Sequence, residues 1–292
     1  MKKAKNYLTL IRLKHYIKNF LILLPLIFSG KLFITESFIS SIIGFITFSF
    51  TTSIVYIIND IKDIEKDKLH HKKKERPLAA GKISIKESIL IIIFLTILIA
   101  LNLYYLKPTI TTIIFLLTYL ILNLLYSFGL KNIPIVDIAI LTSGFIIRVL
   151  FGASIIGVVV SNWLNLTIMS LSFYLALGKR RNEIKIQTST KKQTREVLKY
   201  YNNNFLDKNM YMFLGLALTF YSLWTIDFKI MNRTSEYLIW TVPIVMIIIM
   251  RYSMIIENES DGDPVEVLIQ DKILILLIFI YSLLLISLLY FI

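Results

Sequence analysis

Long apolar blocks alternate with short polar stretches along the whole chain. Nine apolar segments can be marked, and the loops between them hold most of the charged residues. The segments cover residues 17–30, 38–58, 88–106, 109–126, 135–157, 163–178, 210–226, 237–256 and 273–292. Because a helix needs about 20 apolar residues to cross a bilayer, the pattern predicts an all-α integral membrane protein with nine transmembrane helices. The segments 17–30 and 163–178 are short for a span, so the count could differ by one.

Composition supports a membrane protein and argues against disulfides, thiolate metal sites and nucleic-acid binding. Of the 292 residues 56% are hydrophobic, and the mean hydropathy is +0.71. The absence of cysteine excludes disulfides and thiolate metal sites. The net charge of +13 is explained by basic cytoplasmic loops, so we expect no nucleic-acid partner.

The distribution of basic residues predicts the orientation in the membrane. With the N-terminus inside, the inner segments hold 27 of the 32 lysines and arginines, and the outer loops hold four. The remaining one, Arg148, lies within the fifth span. This asymmetry predicts a cytoplasmic N-terminus, an outer C-terminus and two large cytoplasmic loops, 59–86 and 179–208. No linker divides the sequence, so residues 1–292 are expected to form one polytopic membrane domain.

The cytoplasmic loop 179–208 contains its own periodic pattern. Val197, Tyr201 and Phe205 recur at a spacing of four among polar residues. This spacing indicates an amphipathic helix at the membrane interface, although a solvated linker explains it equally well.

Three aspartates follow the second apolar segment. On a helix that continues from this segment, Asp60, Asp63 and Asp67 share one face, and Asn59 lies at its edge. Carboxylate oxygens are preferred ligands of Mg²⁺, which keeps open positions for substrate phosphates. The spacing therefore predicts a Mg²⁺ site at the cytoplasmic boundary of the membrane.

Basic residues surround these acids. Lys62 and Lys66 could neutralise the carboxylates locally, in which case the stretch would be a solvated helix end. The run 72–74 and Arg76 follow, and such side chains next to a metal site favour a highly anionic ligand such as a diphosphate.

The order Asn59-Asp60-x-x-Asp63-x-x-x-Asp67, followed by the stretch "RPLAAG" at 76–81, resembles the UbiA-type prenyltransferase superfamily. The resemblance implies a nine-helix bundle around a central cavity that opens to the cytoplasm. It also implies that the loops 59–86 and 179–208 form a cap over the active site. Typical members transfer an isoprenyl group from its diphosphate to an aromatic acceptor.

The second aspartate-rich motif of that superfamily is replaced here. Near the end of the sixth span the sequence reads "GKRRNE" at 178–183, with one acid beside three positive charges. This departure and several other stretches resemble the polyprenyl-phosphate phosphoribosyltransferase branch. The matching stretches are "IKNFLILLPLIFSG" (17–30), "YSFGLKNIPIVDI" (126–138), "SGFIIRVLFGA" (143–153), "LGKRRNE" (177–183) and "DPVEVLIQDK" (263–272).

The branch implies transfer of a 5-phosphoribosyl group from 5-phosphoribosyl 1-diphosphate to a polyprenyl phosphate, with Mg²⁺ as cofactor. The residues expected to act in catalysis are Asp60, Asp63, Tyr126, Lys131 and Asp137. Those expected to bind substrate are Lys18, Asn19, Asn59, Arg76, Arg148, Lys179, Arg180 and Glu183. Asp60, Asp63 and Asp67 are the expected metal ligands.

Plainer interpretations stand beside these roles. Lys131 could be only a topology signal, and Asp137 could be only a helix-capping acid. Prenyl transfer to an aromatic or lipid acceptor would use the same first motif. A transporter would also place Arg148 within the membrane, but no internal repeat supports one. A prokaryotic cell membrane is the expected location, and a homo-oligomer is compatible with the sequence.

Overall fold

Helices form nearly all of the regular structure in the computed structural model, which describes residues 2–69, 73–190, 195–227, 236–257 and 264–291. Residues 70–72, which include the first lysine of the predicted basic run, lie outside the described part. The Cα packing divides the chain into two compact units. Unit 1 comprises Met1–Leu26, Lys31–Phe128 and Ile147–Val158, and unit 2 comprises Ile27–Gly30, Gly129–Ile146 and Val159–Ile292.

The elements of the first half of the chain run from α1 to α7. The helices are α1 (Lys2–Leu10), α2 (Leu24–Phe28), α3 (Thr35–Lys62), α4 (Ile64–Leu69), α5 (Ile85–Leu106), α6 (Ile110–Phe128) and α7 (Val136–Ile155). Short 3₁₀ helices cover Leu13–Leu23, Lys73–Glu75 and Leu130–Asn132. The start of α5 is fixed by a capping box, in which Ser84 and Glu87 satisfy each other's backbone N–H groups.

The second half adds five helices. They are α8 (Asn162–Thr190), α9 (Asn203–Thr225), α10 (Thr241–Glu257), α11 (Pro264–Gln270) and α12 (Lys272–Tyr290). Two further 3₁₀ helices cover Glu196–Tyr200 and Glu236–Trp240.

Six helical segments of the described chain are long and apolar enough to cross a membrane. They are Thr35–Lys62, Ile85–Leu106, Ile110–Phe128, Val136–Ile155, Glu236–Glu257 and Lys272–Tyr290. An integral membrane protein, as the sequence predicts, is therefore supported. The predicted span 17–30 is divided between a 3₁₀ helix and the five-residue helix α2. The segment 163–178 lies inside α8, and 210–226 lies inside α9 except for its last residue.

Unit 1 packs the end of the 3₁₀ helix Leu13–Leu23 against the C-terminal half of α7. Phe48, Tyr119 and Phe151 form an aromatic core there, and Ile22 is fully buried beside them. The backbones approach closely at Gly152, where a Cβ atom would lie 2.1 Å from the carbonyl oxygen of Ile22. A glycine is therefore required at this helix contact.

Unit 2 buries part of the loop 179–208 in its core. Val197, Leu198 and Tyr201 pack into a cluster with Leu206 and Ile256. The amphipathic helix considered for this loop does not form as one element, because a 3₁₀ helix ends at Tyr200 and α9 begins at Asn203. The Asn202 side chain accepts a hydrogen bond from the backbone N–H of Phe205, which caps the start of α9 and ends the 3₁₀ segment.

Candidate active site

The aspartate-rich stretch of unit 1 does not lie on a single helix. α3 ends at Lys62, and Asp63 adopts a bridge-region backbone with φ −94° and ψ 9° before α4 begins. The expectation that Asp60, Asp63 and Asp67 share one face of a continuous helix is therefore wrong. Backbone hydrogen bonds from Asp63 N–H to the Asn59 carbonyl and from Asp67 N–H to the Asp63 carbonyl still cross this break. Asp60 and Asp67 are both buried, while Asp63 is half-buried.

Two arginines hold the buried aspartates of unit 1. Arg76 Nη1 donates to Asp60 Oδ1 at 3.1 Å and to Asp67 Oδ2 at 2.6 Å. Arg12 Nη2 donates to Asp60 Oδ1 at 2.5 Å. These bonds join charged donors to charged acceptors and are stronger than neutral hydrogen bonds. We call the group Arg12, Asp60, Asp67 and Arg76 the acidic cluster.

The sequence pattern explains Arg12 as a topology residue and does not reveal its place in the acidic cluster. The side chain lies over the ring of Tyr56, with its guanidinium carbon 4.4 Å from the ring centroid. Its backbone is left-handed, with φ 54° and ψ 50°, between α1 and the following 3₁₀ helix. Arg12 lies 48 positions before Asp60. A single sequence contains no signal that pairs two residues this far apart, so the contact could not be predicted.

The acidic cluster fits a divalent cation by its donor chemistry. Carboxylate oxygens of Asp60 and Asp67 both lie within hydrogen-bond distance of one cationic nitrogen, so they already converge on a positive charge. Oxygen donors of this kind are those that Mg²⁺ prefers. Among the described residues, no group of three or more acidic or histidine side chains is close enough to hold a metal. Asp63 is thus not brought together with the other two as predicted.

Lys62, which lies between Asp60 and Asp63 in the chain, contacts the end of α6. Lys62 Nζ donates to the backbone carbonyl of Ser127 at 2.8 Å and lies 4.0 Å from the ring centroid of Phe128. The amine of Lys62 is therefore directed to the end of α6 and not to the buried aspartates, as the alternative of local neutralisation would require. This contact caps the end of α6, next to the half-buried Tyr126.

An intramembrane polar cluster surrounds Arg148 in unit 1. Its Nε donates to Asn19 Oδ1 at 2.7 Å, and its Nη2 donates to the hydroxyl of Tyr119 at 3.1 Å. The guanidinium also lies 5.2 Å from the ring centroid of Phe48. Asn19 in turn donates to Ser49 at 2.9 Å. The two predicted substrate contacts Asn19 and Arg148 are thus neighbours, and Lys18 precedes Asn19 on the 3₁₀ helix Leu13–Leu23.

A second ionic cluster forms in unit 2 around Asp137. Arg180 Nε donates to Asp137 Oδ2 at 2.6 Å, and the hydroxyl of Tyr201 donates to Asp137 Oδ1 at 2.5 Å. The side chains of Asp137 and Arg180 are both 0% exposed, so a ligand would reach neither without displacing this contact. The periodic pattern marks Tyr201 as an apolar position, and its hydroxyl is the part that the pattern could not reveal.

Glu183 extends this ionic cluster to Arg195, which lies after α8. Arg180 Nη1 donates to Glu183 Oε2 at 2.6 Å, and Arg195 Nε lies 3.3 Å from the same oxygen. Glu183 lies beyond the apolar segment 163–178. Its burial raises the carboxyl pKa, but the charges of Arg180, Arg195 and Lys179 outweigh that effect and hold the pKa below its ordinary value. We call Asp137, Arg180, Glu183, Arg195 and Tyr201 the arginine cluster.

The remaining predicted residues lie near these groups in the chain. Lys131 lies on the 3₁₀ helix Leu130–Asn132, six positions before Asp137, and Lys179 precedes Arg180 on α8. Both lysines are half-buried. Arg181 forms an ion pair with Asp207, so the three consecutive basic residues 179–181 have different surroundings.

Comparison with known proteins decides the family. The model of the UbiA prenyltransferase family matches residues 22–283, which is most of the chain. The chain belongs to the UbiA prenyltransferase family. The resemblance predicted from the sequence is thus confirmed, and this UbiA-family protein is a membrane transferase.

Three similar proteins carry a more specific name. A decaprenyl-phosphate phosphoribosyltransferase of Corynebacterium glutamicum is 30% identical over 93% of this chain and 82% of that protein. Proteins of the same name from Mycolicibacterium smegmatis and Mycobacterium tuberculosis are 27% identical over 90% and 91% of this chain, and over 86% and 88% of those proteins.

Solved structures support the fold. A UbiA homologue from Archaeoglobus fulgidus, bound to GPP and Mg²⁺, matches with a TM-score of 0.71. It is 20% identical, over 97% of this chain and 99% of that chain. A digeranylgeranylglyceryl phosphate synthase matches with a TM-score of 0.62 and 21% identity, over 98% of both chains. The UbiA-like helical fold is therefore confirmed.

Proposed function

We propose that this UbiA-family protein transfers a 5-phosphoribosyl group from 5-phosphoribosyl 1-diphosphate to a polyprenyl phosphate and releases diphosphate. The observation that carries the proposal is its 30% identity, over 93% of its length, to the Corynebacterium glutamicum decaprenyl-phosphate phosphoribosyltransferase. The arginine cluster supports it, because basic side chains occupy the place where a typical prenyltransferase has its second set of acids.

The acidic cluster is the proposed site for the diphosphate of the donor. Asp60 and Asp67 are the proposed Mg²⁺ ligands, with Asp63, which lies between them in the chain, as a third ligand only if its side chain moves toward them; bound Mg²⁺ would neutralise charge on the departing diphosphate. Arg12 and Arg76 already lie beside Asp60 and supply further positive charge next to the leaving group. Asn59 lies one residue before Asp60, near the end of α3, and is the proposed neutral contact to the donor.

The nucleophile in this proposal is a phosphate oxygen of the lipid. It forms a bond to C1 of the ribose as the bond from C1 to the diphosphate oxygen breaks. The phosphate is already anionic, so no proton has to be removed from it and no catalytic base is needed. Asn19 and Arg148, which are held together within unit 1, are proposed contacts of the lipid substrate together with Lys18.

Lysines of unit 2 are the proposed contacts for the extra phosphate of the donor. Lys179 is half-buried beside the arginine cluster, and Lys131 lies on the turn before α7. Tyr126, at the end of α6, is proposed to contact the ribose or the diphosphate. Arg180 is fully buried between Asp137 and Glu183, so we assign it to fixing this cluster rather than to direct contact.

The proposed location is a prokaryotic cell membrane, with the N-terminus and the reaction on the cytoplasmic side and the C-terminus outside. This orientation gives a soluble phosphorylated donor direct access from the cytoplasm. The polyprenyl chain of the acceptor would lie along apolar helix faces within the bilayer.

Purified protein in detergent provides the test. Radiolabelled 5-phosphoribosyl 1-diphosphate, a polyprenyl phosphate and Mg²⁺ should give a lipid-soluble labelled product, and EDTA should abolish its formation. Asp60→Ala should reduce the rate by at least about 100-fold, because it removes a metal ligand at the leaving group. Glu65→Ala changes a neighbouring acid that is exposed and paired with Lys68, so this control should keep near wild-type activity.

Other outcomes would redirect the assignment. A protein that gives no labelled lipid, but alkylates an aromatic acid with an isoprenyl diphosphate, would be a prenyltransferase of the more usual kind. Equal activities of the Asp60→Ala and Glu65→Ala variants would contradict the assignment of the acidic cluster to the leaving group, whichever donor is used. Lys179→Ala separates the donors further, since it should raise the KM for the phosphoribosyl donor through loss of a phosphate contact.

A further inference from the structure

Tyr201 connects three parts of unit 2 through one hydroxyl group. The hydroxyl donates to Asp137 Oδ1 at 2.5 Å and accepts a hydrogen bond from the backbone N–H of Ile135 at 2.6 Å. Asp137 then holds Arg180 through its other oxygen. The segment after α8 thus reaches the turn before α7 and, through Asp137, the basic end of α8.

The turn that Tyr201 contacts has a strained backbone. Ile135 has φ 67°, a left-handed conformation that β-branched residues rarely adopt. Such a residue keeps this conformation only where its surroundings fix it. The hydrogen bond from Ile135 N–H to Tyr201 is one such constraint, and it acts four residues after Lys131.

The phenol is suited to remain a neutral donor. Its burial raises the pKa of Tyr201, and the hydrogen bond to the Asp137 carboxylate raises it further. The ring is buried in the same cluster as Val197 and Leu206, and it stacks on Phe205 with centroids 6.1 Å apart. Removing the hydroxyl alone therefore leaves the apolar packing of the ring in place.

From this geometry we infer that Tyr201 is a positioning residue for the donor site. It fixes the turn that carries Lys131 and orients Asp137 toward Arg180, so that Lys131 and Lys179 are ordered before the donor binds. The inference rests on the proposed function, in which these side chains meet the donor phosphates. It also gives Asp137 a positioning role instead of the catalytic role expected from the sequence, because both of its carboxylate oxygens are already engaged.

Tyr201→Phe tests the inference, with Tyr200→Phe as a matched control. Tyr200 is the adjacent tyrosine, and its side chain is 64% exposed. We expect Tyr201→Phe to raise the donor KM about tenfold, as loss of a hydrogen bond to a charged group would, with kcat within about threefold of wild type. A purely structural role would lower the amount of folded protein and the melting temperature but leave the KM unchanged. Tyr200→Phe should match the wild type in all three measurements.

A double-mutant cycle gives a second readout. If part of the effect of Tyr201 passes through Asp137, the KM of Tyr201→Phe/Asp137→Asn should rise by less than the product of the two single effects. Additive effects, or a KM for Tyr201→Phe equal to that of Tyr200→Phe, would overturn the inference. If Tyr201→Phe does not fold, the donor KM of Asp137→Asn provides the test. An unchanged KM in that variant would also contradict the inference.

The wild-type assay separates this inference from the proposed function. If wild-type protein uses only an isoprenyl diphosphate, the proposed function fails, and the same KM comparison is then made with that donor. If it uses 5-phosphoribosyl 1-diphosphate and the two tyrosine variants behave alike, the proposed function stands and the positioning role fails.

Discussion

At the residue scale, two arginine guanidinium groups each pair with two carboxylates. Arg76 bridges Asp60 and Asp67, and Arg180 bridges Asp137 and Glu183. A buried carboxylate that loses its charged partner is left with the full cost of desolvation, which is about 3–5 kcal/mol. Each arginine is therefore expected to matter for stability even where it meets no substrate.

Replacing Arg76 with leucine should make stability dependent on Mg²⁺. Two buried carboxylates would then lack their shared cation, so the melting temperature measured in EDTA should fall well below that of the wild type. Added Mg²⁺ should restore part of the loss, because it neutralises the same oxygens. Thermal unfolding in detergent, with and without the metal, gives both values.

Lys68→Leu is the matched control for this measurement. Lys68 pairs with Glu65 on the surface of α4, where an ion pair contributes about 0–1 kcal/mol. Its melting temperature should stay near the wild-type value in EDTA and in Mg²⁺. If Arg76→Leu responded to Mg²⁺ no more than Lys68→Leu does, the assignment of Asp60 and Asp67 as metal ligands would be refuted.

At the scale of elements, Asp67 and Tyr201, two of the polar residues in the clusters, each follow the end of a helix. Asp67 follows the end of α3 at Lys62 and accepts a hydrogen bond from Arg76, and Tyr201 follows the end of the 3₁₀ helix at Tyr200 and donates to Asp137. Helix contacts in the membrane then depend on small residues that let backbones approach. Gly152 of α7 provides such a contact with the 3₁₀ helix Leu13–Leu23.

Gly152→Ala should destabilise the protein. The added Cβ would lie 2.1 Å from the carbonyl oxygen of Ile22 and 2.8 Å from its carbonyl carbon, so the two elements must move apart. Overpacking of this kind costs about 1–3 kcal/mol, which corresponds to a fall in melting temperature of about 2–6 °C for a chain of this size.

Gly215→Ala makes the same chemical change without the contact. Gly215 lies in the interior of α9, and nothing lies within 4 Å of the position that its added Cβ atom would take. Since alanine favours a helix over glycine by about 1 kcal/mol, this variant should be as stable as the wild type or more so. Equal destabilisation of the two variants would mean that the close approach at Gly152 has no energetic consequence.

For the whole molecule, the sequence predicted the family and the helical membrane fold, because both depend on local patterns. Apolar runs mark the spans, and the aspartate spacing marks the first motif. Contacts between residues far apart in the chain could not be predicted. Arg12 and Asp60 are separated by 48 positions, and Tyr201 and Asp137 by 64. The spacing of the aspartates also predicted that α3 continues through Asp63, whereas α3 ends at Lys62.

The number of crossings can be tested because the chain contains no cysteine. One introduced cysteine is then the only thiol that a membrane-impermeant maleimide can label. Three exposed positions sample the predicted sides: Lys74 in an inner loop, Val159 in an outer loop and Phe291 near the C-terminus. Cysteine at each of these positions should leave the buried clusters intact.

Nine crossings place the two ends of the chain on opposite sides of the membrane, whereas eight place them on the same side. In intact cells we therefore expect Val159→Cys and Phe291→Cys to be labelled, and Lys74→Cys to be labelled only after the membrane is permeabilised. Phe291→Cys that reacts only after permeabilisation would require an even number of crossings. Labelling of Lys74→Cys in intact cells would instead reverse the orientation, and the acidic cluster would then face away from any cytoplasmic donor.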